Sequence, residues 1–487
     1  MKDTAIIVSP IQLLQGTYIE TFTLRSFGAW LFTGIPDGYC DILTVFSKTH
    51  LHCCSERNVT IYMNDELNLP PNYFYHRLPN GIEMIGQYMP SLSSITFGFQ
   101  LDAAVINEPE EKQGLAHLFE YMLFQGTKQK DARALNEAFE SLGARKGANT
   151  GLETSQVFAQ IVNTKFDATL QLINELLLTP TFPREELEQM RNIVLQEIRR
   201  RDDEPMSRIF ELVRANFYKG TALGRPVLGT NERVNQLQRQ DLETFWKARY
   251  QPNNTLFAIA GKFDWDHVVA QMQNLFGDWS GQAEPSPDQR PQPAASVALE
   301  YQEGKQEHLA LMFPFPKYTD PDYYPAIVVS EVLGGNMASR LFVEVREKRG
   351  LVYGISAGQT SNKHIGGMRI YAGTTPEQGH ECLEVIINEL RKLEQEGITA
   401  DELNRAKVQL KSENVMRSEG SGARMGAISR SWWFERKVQT IQEVKQAIDA
   451  VTQEQVLQVL RRFSPLNPLT IAAIGPLKQD ELVGDTL

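Results

Sequence analysis

The chain has 487 residues, too many for one core at roughly 100–200 residues per domain, so two or three domains are expected. Hydrophobic residues at 42% and charged residues at 22% are ordinary for a soluble globular protein. The net charge of −11 speaks against nucleic acid or anionic lipid as the main partner, since both need a basic face, whereas a cationic peptide would be tolerated.

Residues 1–71 read as an N-terminal extension to which no role is assigned. Their opening apolar run, AIIVSPIQLL, is short and broken by Pro10, which falls short of a secretory signal, and a cytoplasmic protein is expected. No apolar run is long enough to span a membrane. Cys40, Cys53, Cys54 and Cys382 do not indicate a disulfide framework. Cys53-Cys54 beside His50 and His52 lacks the usual C-x-x-C metal spacing and reads as incidental thiols.

Residues 72–279 read as a first lobe. ITFGFQLDAAV (95–105) and TLFAIAG (255–261) run apolar like strands, while FDATLQLINELLL and EELEQMRNIVLQEIRRR carry apolar residues at helical spacing. Pro183 should precede the second of these helices, and Asp202-Asp203 before Pro205 should end it. Residues 280–296, SGQAEPSPDQRPQPAAS, cannot bury a core and read as an extended linker. A second lobe over 297–480 repeats the first. LINEL at 172–176 returns as IINEL at 386–390, and TLFAIAG ending at Gly261 returns as LTIAAIG ending at Gly475, both shifted by 214 (386 − 172 and 475 − 261). Three ordered matches, counting REELEQMRNIVLQEI with ADELNRAKVQLKSEN, indicate duplication. Strands mixed with long helices without strict alternation give an α+β class. EHLALMFPFP, with His308, reads as a buried strand, and the aromatics of SWWFERK as helix core, with a substrate-lining role left open.

GLAHLFEYMLFQGT (114–127) carries the chemistry. His117, Glu120 and Tyr121 at i, i+3 and i+4 project from one helix face. An H-x-x-E-H run in that geometry binds zinc through two imidazoles while the glutamate activates the bound water; the fifth place here is Tyr121. With LPNGIEMI, with GGNMASRLFVEVREKRGLVYGISAG, and with Glu197 lying 197 − 121 = 76 residues beyond the tyrosine, the chain over roughly residues 72 to 478 resembles the family of pitrilysin, insulin-degrading enzyme and the mitochondrial processing peptidases.

The resemblance implies two lobes, each a mainly antiparallel sheet packed with helices, facing one another like a clam shell. It also implies a zinc site in the first lobe with His117, the Tyr121 position and Glu197 as ligands and Glu120 as general base. From the second lobe it implies a substrate-gripping arginine and tyrosine seven residues apart, matched here by Arg346 and Tyr353. Three departures gather at the metal site: Tyr121 in place of histidine, Met190 where an acidic residue is expected, and KGANTG in place of the family's Asn-Ala pair.

The sequence therefore points to the substrate-gripping subunit of a zinc metallopeptidase with an impaired metal site, paired with a homologous catalytic chain or with itself. Two alternatives stay open: a self-sufficient peptidase using His117, Tyr121 and Glu197, or a non-catalytic scaffold like the core subunits of respiratory complexes.

Overall fold

A computed structural model describes residues 69–476; ahead of them only the backbone of short strands between Gln12 and Cys53 is described. The side chains of His50, His52, Cys53 and Cys54 lie outside the described residues. By its contacts the chain divides between Leu69 and Pro70, and the larger unit begins at Pro70.

Two sheets form the centre of this larger unit. The first contains β1 (Tyr73–Arg77), β2 (Glu83–Tyr88), β3 (Ser94–Leu101), β4 (Arg145–Thr150), β5 (Ser155–Val162) and β6 (Thr255–Gly261) in the order β4-β5-β3-β6-β2-β1. The second contains β7 (Ser296–Tyr301), β8 (Glu307–Phe315), β9 (Gly354–Ser361), β10 (Gly366–Thr374) and β11 (Thr470–Gly475) in the order β7-β11-β8-β10-β9. β6 runs parallel to β2 and antiparallel to β3, and β11 repeats this between β7 and β8. Every second-sheet strand thus has a counterpart in the first, and only β1 is unmatched. The two-lobed α+β architecture expected from the repeat is the one that forms.

Both matching strands are buried along their whole length and, after a leading threonine, are apolar because they are covered on both faces. The expected strand over 95–105 stops at Leu101, where the chain turns into a short 3-10 segment at Val105–Asn107. Helices that bear on the site and its supports are α1 (Leu115–Leu123), α2 (Phe166–Leu178), α3 (Arg184–Asp203), α4 (Pro205–Phe217), α5 (Gly379–Glu396), α6 (Ala400–Arg417) and α7 (Ser421–Glu435). Pro183 precedes α3, and Pro205 opens α4 at its first turn, where a missing N–H costs nothing. The repeated INEL sequences lie in α2 and α5.

Each lobe lends a helix to the other. Ile209, Val213 and Phe217 of α4 form one apolar cluster with Ala310, Met312, Tyr371, Ala472 and Ile474 of the second sheet. In return α7 crosses the first sheet and is fixed by polar bonds. Ser421 Oγ is 2.8 Å from Thr96 Oγ1, Ser429 Oγ donates to Gln100 Oε1 at 2.6 Å, and Arg424 donates to Gln87 Oε1 and the Tyr73 hydroxyl at 2.7 and 2.8 Å. Trp432 is buried there, its ring centroid 4.7 Å from that of Tyr75. The proline-rich stretch forms no helix or strand ahead of Ser296, where β7 begins, but is fastened to the lobes. Arg249 Nη1 donates to Glu284 O at 2.6 Å, Asn253 pairs with Ala283, and Asp288 meets His364 at 2.7 Å. Composition alone suggested a freer linker, because these backbone contacts carry no compositional mark.

Candidate active site

Six apolar residues of α1, Leu115, Ala116, Leu118, Phe119, Met122 and Leu123, are buried, which turns His117, Glu120 and Tyr121 toward the remaining face. Phe119 is held among Phe182, Phe245 and Tyr250 with ring centroids 4.7–5.6 Å apart. The helix starts at Gly114 with φ 89°, where a Cβ would lie 2.7 Å from the Leu228 carbonyl, so both conformation and space require glycine. The amides of Gly114 and Ala116 donate to the buried Glu108 carboxylate at 3.2 and 2.8 Å, satisfying donors a helix start leaves open. Burial pushes this carboxyl up to about 8, against the pull of those amides and of Arg225.

α3 brings Glu197 against α1. His117 Nε2 is 2.8 Å from Glu197 Oε2, and the Tyr121 hydroxyl donates to Glu197 Oε1 at 2.7 Å. His117 Nδ1 lies 3.7 Å from Glu120 Oε2, and Thr150 Oγ1 on β4 donates to that same oxygen at 2.6 Å. Burial pulls the His117 imidazole down, but the hydrogen bonds and charges of Glu120 and Glu197 together outweigh it and raise its pKa. Burial, then the bond to Glu197, pushes the Tyr121 phenol up to about 12. The four first-lobe residues singled out in the sequence are thus neighbours. Met190 lies in the core. Although His117 contacts two carboxylates, among the described residues no three His, Cys, Asp or Glu side chains are arranged to hold a metal ion.

In the second lobe, Arg346 is exposed, its guanidinium carbon 4.9 Å over the Phe342 ring. Tyr353 is 51% exposed, with its hydroxyl 3.3 Å from the Tyr371 hydroxyl and 3.4 Å from Gln306 Oε1. Its ring rests on Gly373, where an added Cβ would lie 2.4 Å from it. Tyr371 is tied in turn to buried His308 Nδ1 at 2.9 Å. Arg346 and Tyr353 make no bond to one another among the described residues; Arg346 is exposed, and the half-exposed Tyr353 turns its hydroxyl toward Tyr371 and Gln306. Sequence reasoning missed Glu108, Thr150, Gly373 and Tyr371. Thr150 lies within the altered KGANTG segment and could have been weighed with it, whereas the others carry no local signal.

The family model for "Insulinase (Peptidase family M16)" matches residues 84–231, and that for "Peptidase M16 inactive domain" matches residues 236–410. An uncharacterized zinc protease of Streptomyces coelicolor is 30% identical over 412 residues, covering 83% of this chain and 90% of its own. The uncharacterized zinc protease YmxG of Bacillus subtilis is 28% identical over 384 residues, covering 79% and 94%. A crystal structure of a peptidase M16 inactive domain from Pseudomonas fluorescens superimposes with a TM-score of 0.79 at 22% identity, over 84% of this chain and 98% of that one. With its duplicated lobes and this spread of likeness along both of them, the chain belongs to peptidase family M16, the insulinase family.

Proposed function

We propose that this chain serves peptide processing as the substrate-gripping member of a two-chain M16 peptidase, with a metal site of its own that does not suit zinc. The observation that carries this reading is the state of Tyr121. A zinc ligand must offer an unprotonated lone pair, yet this phenol donates its proton to Glu197, and its pKa stands near 12. One imidazole and one carboxylate, with a phenol at the third place, fall short of the three ligands of catalytic zinc sites.

Arg346 and Tyr353 remain able to act. The guanidinium fork can hold a peptide carbonyl or carboxylate by two parallel N–H···O bonds. The Tyr353 hydroxyl can donate to a carbonyl oxygen as negative charge develops on it. Metal and general base would come from the first lobe of a homologous catalytic subunit, since a second copy would bring the same Tyr121.

A second reading is favoured by one observation: the relatives are named zinc proteases. On it, the chain is a self-sufficient enzyme with His117, Tyr121 and Glu197 around a loosely held metal. Cleavage of an unstructured peptide by the purified chain alone, abolished both by a chelator and by Glu120→Gln, would establish that reading and end ours. We expect no such cleavage alone, and chelator-sensitive cleavage when the co-purifying homologue is added, reduced by Arg346→Ala or Tyr353→Phe.

A further inference from the structure

Arg369 and Tyr371 are two residues apart on β10, so both side chains leave the same face of the second sheet. It is the face that α4 crosses, and Phe210 of α4 meets both. The guanidinium carbon of Arg369 lies 4.0 Å over the Phe210 ring, and the Tyr371 ring centroid is 5.4 Å from it. Arg214 follows Phe210 by four residues on the same helix, which puts a second guanidinium on that side of α4. Burial, then the nearby Arg214, pulls the Arg369 pKa below its ordinary value.

Neither cation has an ion pair among the described residues, although the charge of Glu211 acts on Arg214 from a distance. Among the described residues Arg369 has no ion pair or hydrogen bond, only the ring beneath it. Arg214 donates from Nη2 to the Arg225 carbonyl at 3.1 Å, and its Nε is buried without a partner. The acid nearest in sequence on α4, Glu211, is occupied by Arg201 and Arg208, each at 3.0 Å. Carboxylates are not scarce in a chain with 60 acidic and 49 basic residues. Two half-buried, adjacent guanidiniums without one are costly unless an anion joins them. Their neighbour Tyr371 holds the hydroxyl of Tyr353 at 3.3 Å, which places the pair one side chain from the proposed peptide grip.

We propose that Arg369 and Arg214 form a subsite for a carboxylate of the bound peptide, either an acidic side chain or the C-terminus. The subsite rests on the reading of Tyr353 as a substrate grip and adds to it a preference in substrate chemistry. Arg369 supplies the bidentate fork, stiffened by its stacking on Phe210, and Arg214 supplies a second charge beside it.

Fluorescence anisotropy on the full chain tests this with four labelled versions of one unstructured peptide, carrying an internal Glu or Gln and ending in a free acid or an amide. A carboxylate held by an arginine fork should tighten binding on the order of tenfold. The Glu/Gln pair reports a side-chain carboxylate, and the acid/amide pair reports the terminus. Arg369→Gln should abolish the preference, and Arg369→Lys should keep part of it. Equal binding of all four peptides to the wild-type chain overturns the subsite without needing any variant and leaves the peptide-gripping reading intact. A preference undiminished in a folded Arg369→Gln protein also overturns it. If no peptide binds at all, both readings fall.

Discussion

Replacing Tyr121 by histidine should convert the first lobe into a zinc-binding one. At pH 7.5 an ordinary phenol of pKa about 10 must give up its proton at a cost of about 3 kcal/mol before it can act as a ligand. Burial, then the bond to Glu197, pushes the Tyr121 phenol further up to about 12, which adds to that handicap by an amount that solvent screening reduces in this partly open site. A neutral imidazole bears no such cost. A similar figure comes from structural zinc sites, whose roughly 10–16 kcal/mol spread over four ligands is about 3 per ligand. Tyr121→His should therefore tighten zinc by about two orders of magnitude or more, at 1.4 kcal/mol per factor of ten. The assay is zinc stoichiometry by elemental analysis after dialysis against a weak chelator, with titration calorimetry on wild type, Tyr121→His, and Tyr121→His combined with His117→Ala. Wild type should retain little zinc, Tyr121→His about one per chain, and the double variant little again. A wild-type chain that keeps a full equivalent of zinc, lost on His117→Ala, would refute the reasoning. So would a folded Tyr121→His protein that binds no better than wild type.

Three further outcomes rest on single side chains. Gly373→Ala puts a Cβ 2.4 Å from the Tyr353 ring. Because that ring is half exposed it should swing out, leaving the thermal melt nearly unchanged while labelled-peptide affinity falls on the order of tenfold. Glu307 is fully buried with neither carboxylate oxygen partnered, and burial raises its pKa to about 7. A raised carboxyl pKa favours the protonated folded form, so its contribution is complete below the unfolded value near 4.5 and is lost as pH rises through about 7, with a ceiling of about 3 kcal/mol. Glu307→Gln should accordingly raise the melting temperature more at pH 8 than at pH 5, and an equal effect at both would contradict the assignment. Glu108→Ala leaves the Gly114 and Ala116 amides buried without an acceptor, which should cost about 2–4 kcal/mol in urea unfolding, with Glu108→Gln recovering part of it.

The duplication was legible because its markers lie where both lobes meet the same constraint. β6 and β11 are buried on both faces and, after a leading threonine, must be apolar, so their sequences stayed alike at a shift of 214. That shift is not uniform in space. Thr96 faces Ala260 in the first sheet while His308 faces Ile474 in the second, so β3 and β8 correspond at 308 − 96 = 212. The buried leading residues Leu187 and Leu403 of α3 and α6 correspond at 403 − 187 = 216. Loop lengths absorb these differences and leave no periodic trace. The four residues of the first-lobe site were legible for a different reason: three share one short helix face, and helical spacing predicts that without any tertiary knowledge. What holds them was not legible. Thr150 reaches Glu120 across 30 residues, and Tyr371 reaches Tyr353 from the neighbouring strand, through ordinary residue types whose role is set by sheet register.

These supports also bear on how a metal-site histidine could be exchanged for tyrosine without unfolding the lobe. α1 takes its place from six buried apolar side chains and from the Glu108 carboxylate at its start, none of which involves a cation. What a metal would add is a tie between α1 and α3. In this chain the tie consists of two protons, one from the Tyr121 hydroxyl and one shared between His117 and Glu197. Both the Tyr121 phenol and the His117 imidazole reach the Glu197 carboxylate directly, one at each oxygen. On this account Tyr121→Phe should loosen the α1–α3 contact measurably, while removal of metal from wild type should leave it unchanged. Amide exchange along α1, with and without a chelator, separates the two effects.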